Sequence, residues 1–156
     1  MMKPLLTVIA IALLGLSVPA QHKVDSCKDL KYENKNQVNP SPLSVTIVSG
    51  RVIVEAGELG GSAREIGPVT EACLGLFTEK DHRPVATAVV DDEGRFAFDA
   101  IPVGKYRLVV RAGPLCVANV PLRVIRSKRG KEGNGKQVVV HMRAAGIDTC
   151  SYADYK

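Results

Sequence analysis

Between Asp91 and Val110 the chain alternates turn-forming and strand-forming residues so closely that only a sheet protein accommodates it. Asp92-Glu93-Gly94 combines an acidic side chain suited to local hydrogen bonds with a glycine free to take positive φ, the chemistry of a tight hairpin. Phe96 and Phe98 are two residues apart and share one side of a strand, with Ala97 on the other. Pro102 and Gly104 punctuate the next connection. Beyond it Tyr106, Leu108 and Val110 alternate with Lys105, Arg107 and Val109, giving an apolar face and a charged face. The stretch predicts a three-strand meander with two turns.

The same residues carry a family likeness. Asp91, Gly94, Phe96 and Phe98, followed by Pro102, Gly104, Tyr106, Leu108 and Val110, resemble the D-x-x-G-x-F-x-F and P-x-G-x-Y-x-L-x-V signature of the carboxypeptidase regulatory-like domain. Gly50-Arg51-Val52 and Ala72-Cys73-Leu74-Gly75-Leu76 resemble two further strands of that family, and the segment from Val54 to Glu71 is longer than its usual connection. The likeness covers residues 44–143 and is to the secreted, single-domain bacterial type. It implies a transthyretin-like (prealbumin-like) β-sandwich and an accessory role, because the family's name refers to the sandwich that accompanies a zinc peptidase domain.

Residues 1–20 read as a signal peptide: Lys3, then an apolar run from Leu5 to Leu16, then Val18-Pro19-Ala20 before Gln21. That run is shorter than the roughly 20 residues that span a bilayer, and no later segment is apolar enough, so no transmembrane segment is expected in the mature chain. The expected location is secreted or periplasmic. Losing Lys3 lowers the net charge of +5 by one, leaving a mildly basic protein. Weak basicity and few aromatic residues argue against nucleic acid as a partner.

The four cysteines, Cys27, Cys73, Cys116 and Cys150, all follow the signal peptide, in a compartment where thiols oxidise. They are widely spaced, without the close pairs that a zinc site uses. Antiparallel pairing of the Cys73 and Tyr106 strands would bring Cys73 near Cys116, so Cys73–Cys116 with Cys27–Cys150 is the preferred connectivity. Cys116–Cys150 is the rival.

Residues 21–43 form a polar, extended arm, with Pro40 and Pro42 opposing a helix or central strand. Residues 45–54 read as one long strand bent at Gly50. A glycine-rich loop follows, with one helical turn over Ser62–Glu65. Strands are expected over 72–78, 85–90, 116–125 and 136–143, the one over 116–125 being an edge or bulge because of Pro121. Residues 144–156 read as a tail. The sum is an all-β, antiparallel sandwich of about seven strands.

No catalytic, cofactor-binding or metal site is expected. Asp81-His82-Arg83-Pro84 reads as a charged turn, although a small transthyretin-like hydrolase centred on His82 and Arg83 is the alternative reading. Such 5-hydroxyisourate hydrolases end in Tyr-Arg-Gly-Ser, whereas this sequence ends Ser151-Tyr152-Ala153-Asp154-Tyr155-Lys156. His22, His82 and His141 are scattered, and His141 reads as a surface or hydrogen-bonded residue. Asp91, Asp92, Glu93 and Asp99 could suggest calcium, but the hairpin accounts for them and the EF-hand spacing is absent.

Arg126, Lys128, Arg129, Lys131 and Lys136 cluster between the last two strands. They are the candidate contacts for an unidentified protein or an anionic envelope or extracellular polymer. The function read from sequence is therefore an exported, non-catalytic binding or structural module, with a carbohydrate-binding module as a further alternative and Tyr32, Tyr152 and Tyr155 as its candidate contacts. Titration of the denatured, unreduced mature protein should find no free thiol; four reactive thiols would refute the oxidised state.

Overall fold

The computed structural model describes residues 27, 29–32, 41–56, 64–113, 115, 117–127, 136–144 and 151–156. The expected signal peptide, His22, Cys116, Cys150, Lys128, Arg129, Lys131 and the Ser62–Ala63 part of the expected helical turn lie outside them.

The described residues contain ten strands: β1 (Leu43–Val45), β2 (Ser49–Ala56), β3 (Arg64–Pro68), β4 (Cys73–Thr78), β5 (Pro84–Val89), β6 (Arg95–Ala97), β7 (Gly104–Arg111), β8 (Ala118–Val124), β9 (Val138–Met142) and β10 (Tyr152–Tyr155). One sheet has the order β1-β8-β7-β4-β5; the other runs β10-β9-β2-β3, with β6 also on β2. Leu74, Leu108 and Val120 from the first sheet and Val52, Val138 and Met142 from the second are fully buried in one shared core. The fold is all-β and two-layered, as the alternating apolar pattern requires.

Several expectations are corrected. The strands number ten among the described residues, and the sheets are mixed: β1 pairs β8 and β2 pairs β9 in parallel. Residues 45–54 are not one strand. The chain leaves the first sheet at Val45 and joins the second at Ser49, so β1 and β2 belong to different layers. Arg64 and Glu65 are extended in β3, not helical, because β2 offers them a ladder. The tail supplies β10, which closes onto β9.

The meander is the most instructive correction. β6 pairs with β2 in the second sheet, whereas β5 and β7 lie in the first. Both turns step between layers instead of folding neighbours together. The local chemistry nevertheless follows the motif. Asp91 Oδ1 accepts from the Glu93 and Arg95 amides at 2.9 and 2.8 Å, and Gly94 takes φ of 73°. Phe96 and Phe98 are buried while Ala97 is exposed. The Tyr106 hydroxyl donates to the Pro102 carbonyl at 2.8 Å, and its ring lies against Gly104, which explains the Pro-x-Gly-x-Tyr spacing.

Pro121 sits opposite Arg107 on β7, where the β1 ladder, which begins at Leu122, has not yet started. β8 thus has one described neighbour at its proline, which spares the missing N–H.

The charged face expected of β7 is also corrected, since Arg107 and Val109 are buried. In register beside them stand Phe77 and Gly75 of β4. Leu30 and Tyr32 of the N-terminal arm lie on this outer face: a Cβ on Gly75 would meet Leu30 Cδ2 at 2.9 Å, and Tyr32 packs edge-on to Phe77 with centroids 5.7 Å apart. Leu30, Phe77 and Val109 thus form a second apolar layer outside the main core.

A disulfide between Cys27 and Cys73, with Cα atoms 5.3 Å apart, fixes that arm. This overturns both preferred pairings. Leu74 and Leu76 point inward, so Cys73 presents its sulfur to the outer face where the arm runs.

Cross-linking residues separated by 46 positions is worth about 4 kcal/mol by chain entropy. Cys27→Ser should lower stability by about 2–4 kcal/mol in denaturant unfolding and increase proteolysis of the arm. Peptide mapping that recovered Cys73–Cys116 would refute the assignment.

A buried ionic cluster and a basic end

Polar chemistry concentrates in two places. The first is the outer face of the second sheet. Alternation along β2 sends Val52 into the core and Glu55 outward. β2 and β9 run parallel with Ile53 beside His141 and Val54 beside Met142, which brings Glu55 next to Arg143. β10 then sets Tyr152 beside His141 and Asp154 beside Val139.

The result is a connected cluster. Glu55, only 7% exposed, accepts from the Tyr152 hydroxyl at 2.9 Å and faces His141 Nδ1 at 2.5 Å through Oε1. Its Oε2 accepts from Arg143 at 3.2 Å. His141 Nε2 faces Asp154 Oδ1 at 3.0 Å. The His141 and Tyr152 rings stack with centroids 4.1 Å apart, and the Arg143 guanidinium lies 5.2 Å from the Tyr152 ring. Both carboxylates are acceptors, so this geometry is complete when both ring nitrogens of His141 carry a proton.

Burial pushes the Glu55 carboxyl upward, but hydrogen bonds from Tyr152, His141 and Arg143 and the charge on His141 outweigh it, leaving Glu55 below the usual glutamate range. Burial and the neighbouring Glu55 hold the Tyr152 phenol above its ordinary value. The Tyr152 hydroxyl, His141 and one Arg143 nitrogen are directed at carboxylates, and the geometric effect is to brace β10 against β9 and β2. No group of three His, Cys, Asp or Glu among the described residues could hold a metal ion.

The second place is one end of the sandwich. The β1–β2 bend, the β4–β5 turn, the β6–β7 connection, the exit from β8 and the entry to β9 meet there. Lys80, Lys105, Arg123, Arg126, Lys136 and Lys156 are all exposed at this end. Lys136 lies over the Tyr155 ring at 4.6 Å. The Tyr155 hydroxyl donates to Ser44 O at 3.1 Å, tying β10 to β1. Glu79, Asp81 and Asp99 also sit at this end, and Asp81 pairs with Arg83 at 2.5 Å. The opposite end carries Glu71, Asp91, Asp92 and Glu93, all exposed. Asp91 is held below the usual aspartate range chiefly by its hydrogen bond from Arg95.

Of the sequence-derived contacts, Arg126 and Lys136 come together at the basic end. His82 occupies the β4–β5 turn with φ of 53° and stacks on Tyr32, centroids 3.7 Å apart. It belongs to the first sheet, whereas His141 lies on the second. Tyr32, Tyr152 and Tyr155, the candidate sugar contacts, each already meet a protein partner. Sequence reasoning missed Glu55, Arg143 and Asp154 as a group. Val139-Val140-His141-Met142-Arg143 does mark His141 and Arg143 as sharing a face, but nothing local shows that β2 and β10 flank them.

No family profile and no solved structure matches this chain. A stretch of 93 residues, 60% of the chain, is 20% identical to Colossin-A of Dictyostelium discoideum. The chain spans about 1% of the length of that protein.

Because folding lowers the Glu55 pKa, its ionised form favours the folded state. That stability is present above the ordinary glutamate range and is lost as pH falls through it and through the lower folded value. Glu55→Gln should cost about 2–3 kcal/mol at neutral pH and flatten this acid limb in unfolding curves. A variant with wild-type stability and an unchanged acid limb would refute the bracing role.

Proposed function

We propose that this chain is an exported, non-catalytic β-sandwich module of the carboxypeptidase regulatory-like kind, binding an anionic envelope or extracellular surface through its basic end. The observation that carries this reading is the segregation of charge. Arg123, Arg126 and Lys136 are exposed at the end where β8 leaves and β9 enters, while Asp91, Asp92 and Glu93 stand at the other. Like charges gathered at one end raise the local potential and orient the molecule toward an anion.

The other polar concentration supports the same reading. Glu55, His141 and Arg143 are joined by hydrogen bonds to one another and to Tyr152 and Asp154 of β10. The family assignment draws on the structural roles of Asp91, Gly94, Pro102 and Tyr106, which are those that a turn-and-strand signature requires. Export is supported by the Cys27–Cys73 bond, since disulfides persist in oxidising compartments.

The purified mature chain should bind immobilised dextran sulfate and elute with rising salt, as exposed charge pairs are screened. Arg126→Ser with Lys136→Ser should elute earlier. Salt-insensitive retention, or equal retention on a neutral polysaccharide, would overturn the reading. Hydrolysis of 5-hydroxyisourate that is lost in His82→Ala would overturn its non-catalytic part.

A further inference from the structure

The basic end also bears exposed apolar side chains, which a purely electrostatic contact does not need. Ile47, in the β1–β2 bend, is 56% exposed; Val103, just before β7, is 58% exposed; Ile125, just after β8, is 41% exposed. The register brings them to one place. Gly104 pairs with Val124, so Val103 and Ile125 continue that ladder outward. The Ile125 amide donates to the Val45 carbonyl at 2.8 Å, which sets Ile125 beside the bend that carries Ile47. Arg123 and Arg126 flank Ile125 in sequence, and Lys136 stands at the same end, at the entry to β9 in the facing sheet.

We infer that this end docks on the surface of an anionic lipid bilayer, with Ile47, Val103 and Ile125 entering the headgroup region and Arg123, Arg126 and Lys136 pairing with lipid phosphates. The inference rests on the basic-end reading above and narrows it to one class of surface. A soluble polyanion rewards only the cations. A bilayer interface rewards cations through its negative surface potential and aliphatic side chains through burial at the acyl boundary. Three β-branched residues left in water beside exposed cations fit the second surface.

The test compares sedimentation of the mature chain with vesicles of phosphatidylcholine alone and of phosphatidylcholine mixed with phosphatidylglycerol, alongside retention on dextran sulfate. The wild type should bind only the anionic vesicles. Combined Ile47→Ser, Val103→Ser and Ile125→Ser should weaken vesicle binding about tenfold and leave dextran sulfate retention unchanged. All three positions are exposed, and an unchanged melting curve verifies that the variant is folded. Dextran sulfate retention without vesicle binding, or vesicle binding indifferent to the serine substitutions, would overturn the lipid inference and leave the basic-end reading standing. Failure to bind either probe would overturn both.

Discussion

The second sheet depends on how closely β2 approaches β9. Gly50 lies beside Val138 in the parallel ladder, and a Cβ at Gly50 would sit 1.8 Å from the Val138 carbonyl oxygen. No side chain fits that gap without moving backbone. β2 also carries β3 along its other edge and β6 at its start, so three strands take their positions from it. When β2 and β9 are set at this spacing, Val52, Val138 and Val140 meet the first sheet as one packed layer.

Both outer faces are then finished by chain segments near the ends of the sequence, by different physics. On the first sheet the arm covers Gly75 and Phe77 with Leu30 and Tyr32, and a covalent bond holds it. The small Gly75 leaves room for the leucine. On the second sheet the covering is ionic, built on Glu55 and shared with β10. A buried carboxylate is tolerated there because Tyr152, His141 and Arg143 all donate toward it. Exposed charge gathers at the two ends, with cations in excess where β8 leaves and carboxylates, partly paired with Arg95, at the other.

Local pattern was a sound guide wherever a residue's role is set within a few positions. Asp91 caps its own turn, Gly94 takes positive φ, Phe96 and Phe98 face inward, and Tyr106 reaches back to Pro102. It misled where partners come from afar. The run from Asp91 to Val110 has the periodicity of a meander, yet a three-residue β6 crosses to the opposite layer, and period-two alternation is the same for either sheet. Arg107 has the look of a solvent-facing residue until the arm side of the sheet is considered. Tyr152 and Asp154 appear as polar tail residues because the strand that receives them ends at Met142, well before them in the chain.

The amino-acid sequence by itself determined that this chain is an all-β protein with particular turns, an apolar face on each main strand and a basic stretch after β8. Those properties follow from φ preferences, side-chain alternation and charge, all of which act over short distances. Only the tertiary structure decided which sheet each strand joins, that Cys73 bonds Cys27, that Glu55 meets His141 and Arg143, and that Ile47, Val103 and Ile125 share one end. Those outcomes depend on burying two sheet faces at once. Residues far apart in the chain compete for the same neighbours, and no local window contains that competition.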